Sequence, residues 1–342
     1  MRVVALKDGF GLDHLVIEPR PAPRLLPGQV RLRMLAASLN YRDLLMVLGR
    51  YNPAQPLPLV IGSDGVGEVT EVGADVQRVA VGDRVCPIFA SGWLSGEVTR
   101  EKQRTALGGP LDGTFAEFMV LDAEAVVKVP AYLSDEEAAC LPCTGVTAWS
   151  ALMSHGRLQP GDVVLLQGTG GVSLSALAIA KTAGARVVIT SKDDDKLRRA
   201  SSLGADVTIN YGADPDWGRT AKQHTGGRGV DLVLDVGGEA TLGQSLRAVR
   251  PGGTICIIGN LSGARPKLDL LPVLMNDVRL QGVFVGSRER FEALLRALEA
   301  NRVRPVVDRV FELEQVRAAL SYLQSGAHFG KVCLRLTARG SR

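Results

Sequence analysis

The stretch Val-Val-Leu-Leu-Gln-Gly-Thr-Gly-Gly-Val-Ser, at residues 163–173, is the part of this sequence that decides the fold. It begins with an apolar run of the kind found in strands that are buried on both faces of a parallel sheet. A glycine-rich turn follows at once, and a helical pattern then continues to about residue 183, where Gly184 ends it. A strand, a glycine turn and a helix in direct succession indicate a binding site for the pyrophosphate of a dinucleotide.

Three glycines give this turn its chemistry. Gly168 permits a tight turn, while Gly170 and Gly171 let the backbone approach a pyrophosphate closely. Ser173 stands where the usual fingerprint has a third glycine, and it is small enough for the helix to pack closely on the strand. A glycine turn that binds no ligand is the weaker interpretation, because the strand before it, the helix after it and their spacing are all present.

The end of the second strand indicates which dinucleotide is bound. That strand ends at Thr190, and Ser191 stands where NAD-binding chains carry an acidic residue for the ribose 2′-hydroxyl. Ser191, Lys192 and Lys196 instead offer hydroxyl and ammonium donors to a 2′-phosphate. The acidic run at residues 193–195 argues the other way, but it fits the cap and first turn of the next helix, where acids are favourable. The pattern therefore favours NADP(H).

Two kinds of pattern surround this unit. Residues 1–121 contain short predicted strands separated by Pro and Gly turns, with one helix at about 41–48, which is typical of a β-rich domain. Beyond about residue 128, strands alternate with helices, which predicts an α/β domain with a doubly wound, mostly parallel sheet. The elements predicted here are a helix that begins after Ser134 and runs through the apolar stretch at residues 138–153, strands at 163–167, 186–190, 207–210, 230–236, 254–259 and 280–286, helices at 288–301 and 313–323, and a last strand from Lys331 that returns to the first domain.

Composition excludes several classes of protein. The 342 residues carry 40 basic and 36 acidic side chains, a net charge of +4, without a run of Lys or Arg that would indicate a nucleic-acid partner. No apolar stretch approaches the ~18 residues of a membrane span, and the first residues lack the pattern of a signal peptide. Five scattered cysteines do not form a disulfide framework. We expect a reduced, cytoplasmic, two-domain soluble protein.

Outside the glycine turn, few side chains suggest chemistry by their spacing alone. Cys140 and Cys143 form a CxxC pair, but no second pair completes a four-ligand zinc site, so free thiols in an apolar setting are the favoured interpretation. The polar residues of Asn40-Tyr-Arg-Asp43 border an apolar stretch, and they either line a site or serve locally. In the local interpretation, Asn40 caps a helix and Asp43 pairs with a neighbouring arginine.

Motifs along nearly the whole chain resemble the medium-chain dehydrogenase/reductase superfamily, in its zinc-lacking, quinone-oxidoreductase-like branch. These motifs are Asn40-Tyr-Arg-Asp43, the segments at 60–69, 81–85 and 141–148, the glycine turn at 168–173, and Gly330-Lys-Val. The resemblance implies a GroES-like β-barrel catalytic domain, formed by residues 1–126 and 287–342, and a Rossmann dinucleotide-binding domain at residues 127–286.

Zinc-dependent members of this superfamily bind a catalytic zinc through a Cys, a His-Glu pair and a later Cys. This sequence has Asn40 at the first position, Ser63 and Asp64 at the second, and a cysteine, Cys143, only at the last. The cysteine-rich lobe that holds their structural zinc is replaced by a cysteine-free stretch at residues 91–112. One thiolate cannot hold zinc, so we expect no metal.

The resemblance also implies roles for individual residues. Asn40 and Asp43 are expected beside the nicotinamide as catalytic residues. Tyr51 corresponds to a tyrosine that supports protonation of the substrate in related enoyl-thioester reductases. The expected cofactor-binding residues are Ser191, Lys196 and Tyr211 around the 2′-phosphate and, elsewhere, Thr144, Gly168, Thr169, Gly170, Gly171, Val172, Gly259, Asn260, Val285 and Lys331.

These observations predict an NADPH-dependent, metal-free oxidoreductase that transfers hydride to a conjugated C=C or C=O acceptor, such as a quinone or an enone. Without zinc another group must stabilise the developing oxyanion, and Asn40 is the candidate donor. Two other functions stay open: a 2-enoyl-thioester reductase, and an NADPH-binding sensor or interaction protein with little turnover. The resemblance further implies a homodimer that pairs through the segment at residues 278–285.

Overall fold

The computed structural model describes residues 1–336, and the chain forms two compact units. The first unit contains Met1–Val146 and residues 286–336, and the second contains Thr147–Val285. Strands of the first unit are mostly antiparallel and those of the second are parallel, so the predicted α/β class is confirmed. The domain boundaries expected at residues 126/127 and 286/287 stay a prediction.

The described residues form sixteen strands and eleven α-helices. The strands are β1 (Arg2–Leu6), β2 (Leu15–Pro19), β3 (Gln29–Ser38), β4 (Leu59–Val60), β5 (Asp64–Val72), β6 (Arg84–Pro87), β7 (Phe118–Asp122), β8 (Val126–Lys128), β9 (Val163–Gln167), β10 (Arg186–Ser191), β11 (Val207–Asn210), β12 (Val230–Asp235), β13 (Val249–Ile257), β14 (Arg279–Gly282), β15 (Val307–Glu312) and β16 (Lys331–Arg335). The helices are α1 (Tyr41–Val47), α2 (Arg100–Gln103), α3 (Asp135–Ala139), α4 (Val146–Trp149), α5 (Gly171–Thr182), α6 (Asp194–Ser202), α7 (Trp217–Gln223), α8 (Leu242–Ala248), α9 (Leu271–Met275), α10 (Arg288–Asn301) and α11 (Val316–Ser325). Within residues 1–336, no helix combines the length and the apolar character needed to cross a membrane.

β3 is the central strand of the first unit. It pairs antiparallel with β5, β7 and β16, in a sheet of order β15-β16-β3-β5-β6-β8 with β7 beside β3. Buried and half-buried side chains alternate along most of β3, as expected for a strand with one face on the core. The prediction that the last strand returns to the first domain is confirmed, because β16 lies beside β3.

The pairing of β3 brings polar residues from distant parts of the chain together. Ser38, the last residue of β3, lies opposite Asp64 of β5 and, on its other side, opposite Cys333 of β16. Asn40 follows two residues later, directly before α1. Buried apolar side chains of β3, β5 and β16 belong to one core in this unit. The register of three strands therefore fixes where these polar side chains meet.

The second unit is built on a parallel sheet of order β11-β10-β9-β12-β13-β14. All five residues of β9 are buried, as its continuous apolar run predicts. From β9 the chain adds β10 and β11 on one side, and then crosses to β12 on the other. Such a reversal of strand order is where open parallel sheets bind their ligands.

The segment predicted as one helix after Ser134 is correct at its start and wrong in its interior. The Glu137 N–H donates to Ser134 Oγ at 3.1 Å, and the Ser134 N–H donates to the Glu137 carboxylate at 2.8 Å, which closes a capping box. After α3, however, Leu141–Gly145 and Ser150–His155 are π-helical on either side of α4. Pro142 lacks an N–H, so the regular α-helical ladder cannot continue through it.

Three further predictions need correction at their ends. The strand predicted at 254–259 is β13, which runs from Val249 to Ile257. The strand predicted at 280–286 stops at Gly282, and Val285 has a φ of +38°, outside the extended region. The helix predicted at 313–323 begins as a 3₁₀ turn and continues as α11 until Gly326, with a φ of +68°, ends it. The strands at 163–167 and 207–210 and the helix at 288–301 have the predicted bounds.

Truncation of a leucine in β3 tests the position of this strand in the core. Leu32 is fully buried in β3, whereas Leu26, just before it, is half exposed. We expect Leu32→Ala to lower the free energy of unfolding by about 2–5 kcal/mol, because it leaves a cavity. Leu26→Ala, the matched control, should lower it by less than about 1 kcal/mol. Urea unfolding monitored by circular dichroism measures the free energy of unfolding of both variants. Equal losses would contradict the placement of β3.

Candidate functional site

A cluster of buried polar side chains lies where β3, α1, β5 and β16 of the first unit begin or end. We refer to it as the polar cluster. Each of its members is buried, with at most 9% of the residue or of its side chain exposed. Its members are Ser38, Asn40, Arg42, Asp43, Ser63, Asp64 and Lys331, and the backbone of Cys143 also contributes.

Asp64 makes the most connections in the polar cluster. Its Oδ1 accepts the backbone N–H of Cys143 at 2.7 Å. Its Oδ2 accepts the amide Nδ2 of Asn40 at 2.8 Å and the hydroxyl of Ser38 at 3.0 Å. The ammonium of Lys331 lies 3.5 Å from the same oxygen. One carboxylate therefore joins the ends of β3 and β5, the start of β16 and the π-helical turn.

Asn40 is held by three partners within the polar cluster. Its Nδ2 donates to Asp64 and, at 3.1 Å, to Ser63 Oγ, so both amide hydrogens are directed at protein acceptors. Its Oδ1 accepts a hydrogen bond from Lys331 Nζ at 2.6 Å. The side chain therefore has a fixed orientation, in which its donors face Ser63 and Asp64.

Asp43 is the second buried carboxylate. Its Oδ2 accepts the backbone N–H of Asn40 at 2.9 Å, which caps α1, and its Oδ1 accepts the Ser63 hydroxyl at 2.8 Å. The guanidinium of Arg42 lies 3.3 Å from the same Oδ1. The sequence left open whether Asn40 caps α1 and whether Asp43 pairs with an arginine. Asn40 does occupy the N-cap position, but the side chain that bonds there is that of Asp43, which also lies beside Arg42 and Ser63.

Burial dominates the electrostatics of the polar cluster. It raises the pKa of Asp64 and of Asp43, against the nearby charges of Lys331 and Arg42 respectively. Burial also works to lower the pKa of Lys331, but the carboxylate of Asp64 raises it. Two buried carboxylates thus face two cations, and each charge has a partner of opposite sign.

The donors of the polar cluster do not fit a zinc site. Cys143 is the one residue with a sulfur ligand at the positions where zinc-dependent members hold their metal, and one thiolate cannot hold zinc. The oxygens of Asp64 are already bonded to protein N–H and O–H groups. Within residues 1–336, no three His, Cys, Asp or Glu side chains lie together in a way that could hold a metal ion.

Two other predicted residues of the first unit lie outside this hydrogen-bond network. Tyr51 is 44% exposed, and its ring stacks on the guanidinium of Arg42, 4.8 Å from ring centre to Arg42 Cζ. Thr144 is buried, and its hydroxyl donates to the carbonyl of Cys140 at 2.7 Å. Lys331, also predicted as a cofactor ligand, lies within the network and donates to Asn40 and to the carbonyl of Leu39 at 2.7 Å.

The glycine turn of the second unit has the shape of a pyrophosphate cradle. Gly168 has a φ of +69°, and no atom lies within 4 Å of the place where a Cβ would stand at Gly168 or at Gly170. Gly170 caps α5, a helix of 12 residues whose first N–H groups lack helical partners. Ser173 Oγ donates to the carbonyl of Gln167 at 2.7 Å, which ties helix to strand as a third glycine's close packing would. The open space at the turn and the unpaired N–H groups at the N-terminus of α5 fit the pyrophosphate of a dinucleotide.

Residues at the ends of β10 and β11 lie side by side. Ser191 pairs with Asn210 in register, and the Tyr211 N–H donates to the Ser191 carbonyl at 3.1 Å. Asp193 Oδ1 accepts the N–H groups of Asp195 and Lys196, so the acidic run is the predicted helix cap. No acidic residue therefore stands at the end of β10 itself.

The remaining predicted residues follow the carboxyl ends of neighbouring parallel strands. Gly168 follows β9, Gly259 and Asn260 follow β13, and Val285 follows β14. Because parallel strands end at the same edge of a sheet, these residues share one edge of the second unit. Gln167, which the sequence did not indicate, strengthens this edge, since its amide donates to Asp235 at 3.1 Å.

Several functional partners could not be found from sequence patterns. Ser38 belongs to no motif, and Arg42 lies within Asn40-Tyr-Arg-Asp43 only as a possible partner of Asp43. Asp64 was indicated as one of the polar residues of Gly62-Ser-Asp-Gly65 and as a departure from a zinc ligand pair. The available signal was their position at the ends of predicted strands or beside Asn40. No local pattern predicts which strands pair or in which register they do so.

Comparison with known proteins gives consistent matches over the chain. The model of the alcohol dehydrogenase GroES-like domain matches residues 26–131, and that of the zinc-binding dehydrogenase matches residues 171–300. A zinc-type alcohol dehydrogenase-like protein of Schizosaccharomyces pombe is 42% identical over 98% of this chain and 99% of its own. An acryloyl-coenzyme A reductase of Metallosphaera sedula is 32% identical over 96% and 97%.

Solved structures agree with this chain in fold. An NAD-dependent alcohol dehydrogenase is 37% identical, with a TM-score of 0.91 over 98% of this chain and 100% of its own. A mycobacterial protein in complex with NADPH is 27% identical, with a TM-score of 0.83 over 98% and 99%. The GroES-like and Rossmann domains expected from the sequence are therefore confirmed, as is an NAD(P)-binding type of second domain.

Alanine at Gly168 tests the cradle. Gly226 is a matched control, because it has a similar φ of +66° and equally open space for a Cβ. We expect Gly168→Ala to weaken binding of NADPH or NADH at least tenfold, since the methyl group occupies space that a pyrophosphate needs. Gly226→Ala should leave affinity within twofold. Fluorescence titration measures affinity, thermal melting checks folding, and equal affinities of both variants would contradict the assignment.

Proposed function

The chain belongs to the medium-chain dehydrogenase/reductase superfamily, and we propose that within it this protein is a metal-free, NADPH-dependent reductase of conjugated C=C or C=O acceptors, quinones or enones. The observation that carries this proposal is the polar cluster, in which protein N–H and O–H groups occupy the oxygens of Asp64. A group other than a metal must then stabilise the negative charge that develops on a substrate oxygen.

NADPH, when bound, supplies the hydride, and the second unit is proposed to hold it. The turn at residues 168–172 receives the pyrophosphate, and the open positions at Gly168 and Gly170 support this. Ser191, Lys196 and Tyr211 are proposed to surround the 2′-phosphate. The residues proposed for the nicotinamide end are Thr144, Gly259, Asn260 and Val285.

Asn40 is the proposed donor to the substrate oxygen. Its contact with Ser63, at 3.1 Å, is longer than its contact with Asp64, at 2.8 Å, so the first is the one that a substrate oxygen would replace. Ser63 keeps a partner after this exchange, because its hydroxyl still donates to Asp43. Asp43 holds both Ser63 and the start of α1 in place, which keeps the Asn40 amide directed at one point.

The two acceptor classes differ in their need for a proton. The reduced oxygen of a quinone carries delocalised charge and needs little acid assistance, whereas an enone needs a proton at its α-carbon. Tyr51 is the protein group proposed for that step, since it is partly exposed and lies against the positive charge of Arg42. Water is the other source of this proton.

A 2-enoyl-thioester reductase is the second candidate function. The likeness to an acryloyl-coenzyme A reductase, over nearly the whole of both chains, favours it. It uses the same hydride chemistry on an activated C=C bond, and it requires protonation at the α-carbon. Activity with an enoyl-CoA but with neither quinone nor enone would replace the first proposal by this one.

An acceptor panel with chelator present tests the proposed reaction. We expect NADPH absorbance to fall with a benzoquinone or a simple enone, at a rate that EDTA does not change. An aldehyde and an enoyl-CoA complete the panel. Loss of activity in EDTA and its return with zinc would contradict the metal-free mechanism. Tight NADPH binding without turnover of any acceptor would favour a binding role.

Asn40→Ala in the same assay tests the oxyanion donor. We expect kcat to fall by about 10²–10³-fold, the usual effect of removing one such donor, with NADPH affinity unchanged. Asn301→Ala, at an exposed asparagine that ends α10, is the control and should leave kcat unchanged. Unchanged turnover of Asn40→Ala at saturating NADPH would remove Asn40 from the mechanism.

Preference for NADPH is proposed because Ser191 ends β10 where NAD-binding chains carry an acid. Ser191→Asp should weaken NADPH binding at least tenfold, because a carboxylate repels the 2′-phosphate, and should leave NADH binding equal or stronger. Ser202→Asp, at an exposed serine that ends α6, is the matched control. Equilibrium titration with both cofactors measures the ratio of the NADPH and NADH affinities. A ratio unchanged from the wild type would contradict the proposed contact with the 2′-phosphate.

A homodimer is proposed through the edge of the parallel sheet. β14 is the outermost strand of the described sheet, next to β13. Leu270, Leu271, Leu274 and Met275, in and beside α9 just before it, are 60–76% exposed, and exposed apolar residues grouped in this way are typical of an interaction surface. Light scattering after size exclusion should give twice the 36.4 kDa chain mass, and Leu274→Asp should give the single mass. A monomeric wild type would contradict the proposal.

A reducing, cytoplasmic setting is also proposed. All five cysteines are free thiols in the structure. Chains that work in oxidising compartments more often pair their cysteines.

A further inference from the structure

Lys331 is a buried ammonium whose three hydrogens all face oxygen atoms of the first unit. It is the first residue of β16 and is 4% exposed. Its Nζ lies 2.6 Å from Asn40 Oδ1, 2.7 Å from the Leu39 carbonyl and 3.5 Å from Asp64 Oδ2. An ammonium has three N–H donors and no acceptor, so these contacts use its full capacity.

The positive charge of Lys331 neutralises the negative charge of Asp64. Asp43 has its own cation in Arg42, at 3.3 Å, whereas Lys331 is the cation nearest to Asp64 among the ion pairs of the described residues. Removing the counter-ion of a buried carboxylate strongly destabilises the folded protein, because it leaves a buried charge without a partner. The polar cluster therefore needs a fixed positive charge at this point.

Lys331 also decides which way the Asn40 amide points. Since the ammonium can only donate, the atom of Asn40 that faces it must be the oxygen. The amide nitrogen is then directed at Ser63 and Asp64, where the proposed exchange with a substrate oxygen takes place. A flipped amide would place two donors against the ammonium.

We propose that Lys331 is a positioning residue of the reductase: its ammonium is a built-in cation that neutralises Asp64 and fixes the Asn40 amide, and it is not a ligand of the dinucleotide. The inference rests on the proposed function for its effect on turnover. Its effect on Asp64 is independent of that function and can be measured without any substrate.

The kinetic test separates a positioning role from a cofactor contact. Lys331→Met should lower kcat about 10²-fold, because a misplaced donor group has that effect, while the Kd of NADPH stays within twofold of the wild type. Lys331→Ala should regain at least tenfold of its lost kcat when n-propylammonium is added. Lys128→Met, at an exposed lysine paired with Asp83, should change neither quantity. A tenfold weaker NADPH affinity at unchanged kcat would overturn the proposal.

A double-mutant cycle tests the counter-ion directly. Lys331→Met and Asp64→Asn should each lower the midpoint of thermal unfolding, by roughly 10 °C for the lysine variant. The double variant should lose clearly less than the sum of the two, because no buried charge is then left without a partner. Additive losses would overturn the proposal even if the wild type reduces none of the acceptors tested.

Folding failure is also informative. If Lys331→Met is insoluble, recovery of soluble, NADPH-binding protein in the double variant supports the counter-ion role. If neither variant folds, the lysine supplies something other than charge, and the proposal is overturned.

Discussion

The register that places Ser38 of β3 opposite Asp64 of β5 is the constraint on which the site of the first unit depends. It buries a carboxylate, and a buried carboxylate must find donors. These come from the Ser38 hydroxyl, the Asn40 amide and the Cys143 backbone, on separate elements of the chain. The need to satisfy one charged group thus draws strand ends, a helix start and a π-helical turn to one point.

In the second unit, by contrast, the glycine turn leaves open space and leaves backbone N–H groups available to a ligand. Gly168 turns with a positive φ, and the places beside it and Gly170 where side chains would stand are open. The surrounding edge is by contrast firmly bonded, since Gln167 donates to Asp235 and to Ser245 at 2.7 Å. A rigid strand edge around an open turn suits the capture of an anion at a helix N-terminus.

Predictions from the sequence held where the signal was local. The caps at Ser134 and Asp193 and the bounds of β9 follow from short patterns whose physics involves only near neighbours. They failed where the backbone departs from a regular element: Pro142 lies in a π-helical turn within a predicted helix, and a predicted strand stops at Gly282, before the positive φ of Val285. Asn40 and Asp43 could not be assigned between local and site roles, because both kinds of contact exist at once.

By itself the sequence determined the superfamily, the two kinds of domain and the glycine turn, because each of these depends on spacing within a short stretch of chain. Only the tertiary structure decided what the polar residues do. That Asp64 is bonded from several sides, that Lys331 neutralises it, and that the Asn40 amide has one orientation all depend on the pairing of β3 with β5 and β16. Distance and burial set the energy of a charge, and neither is a property of sequence spacing.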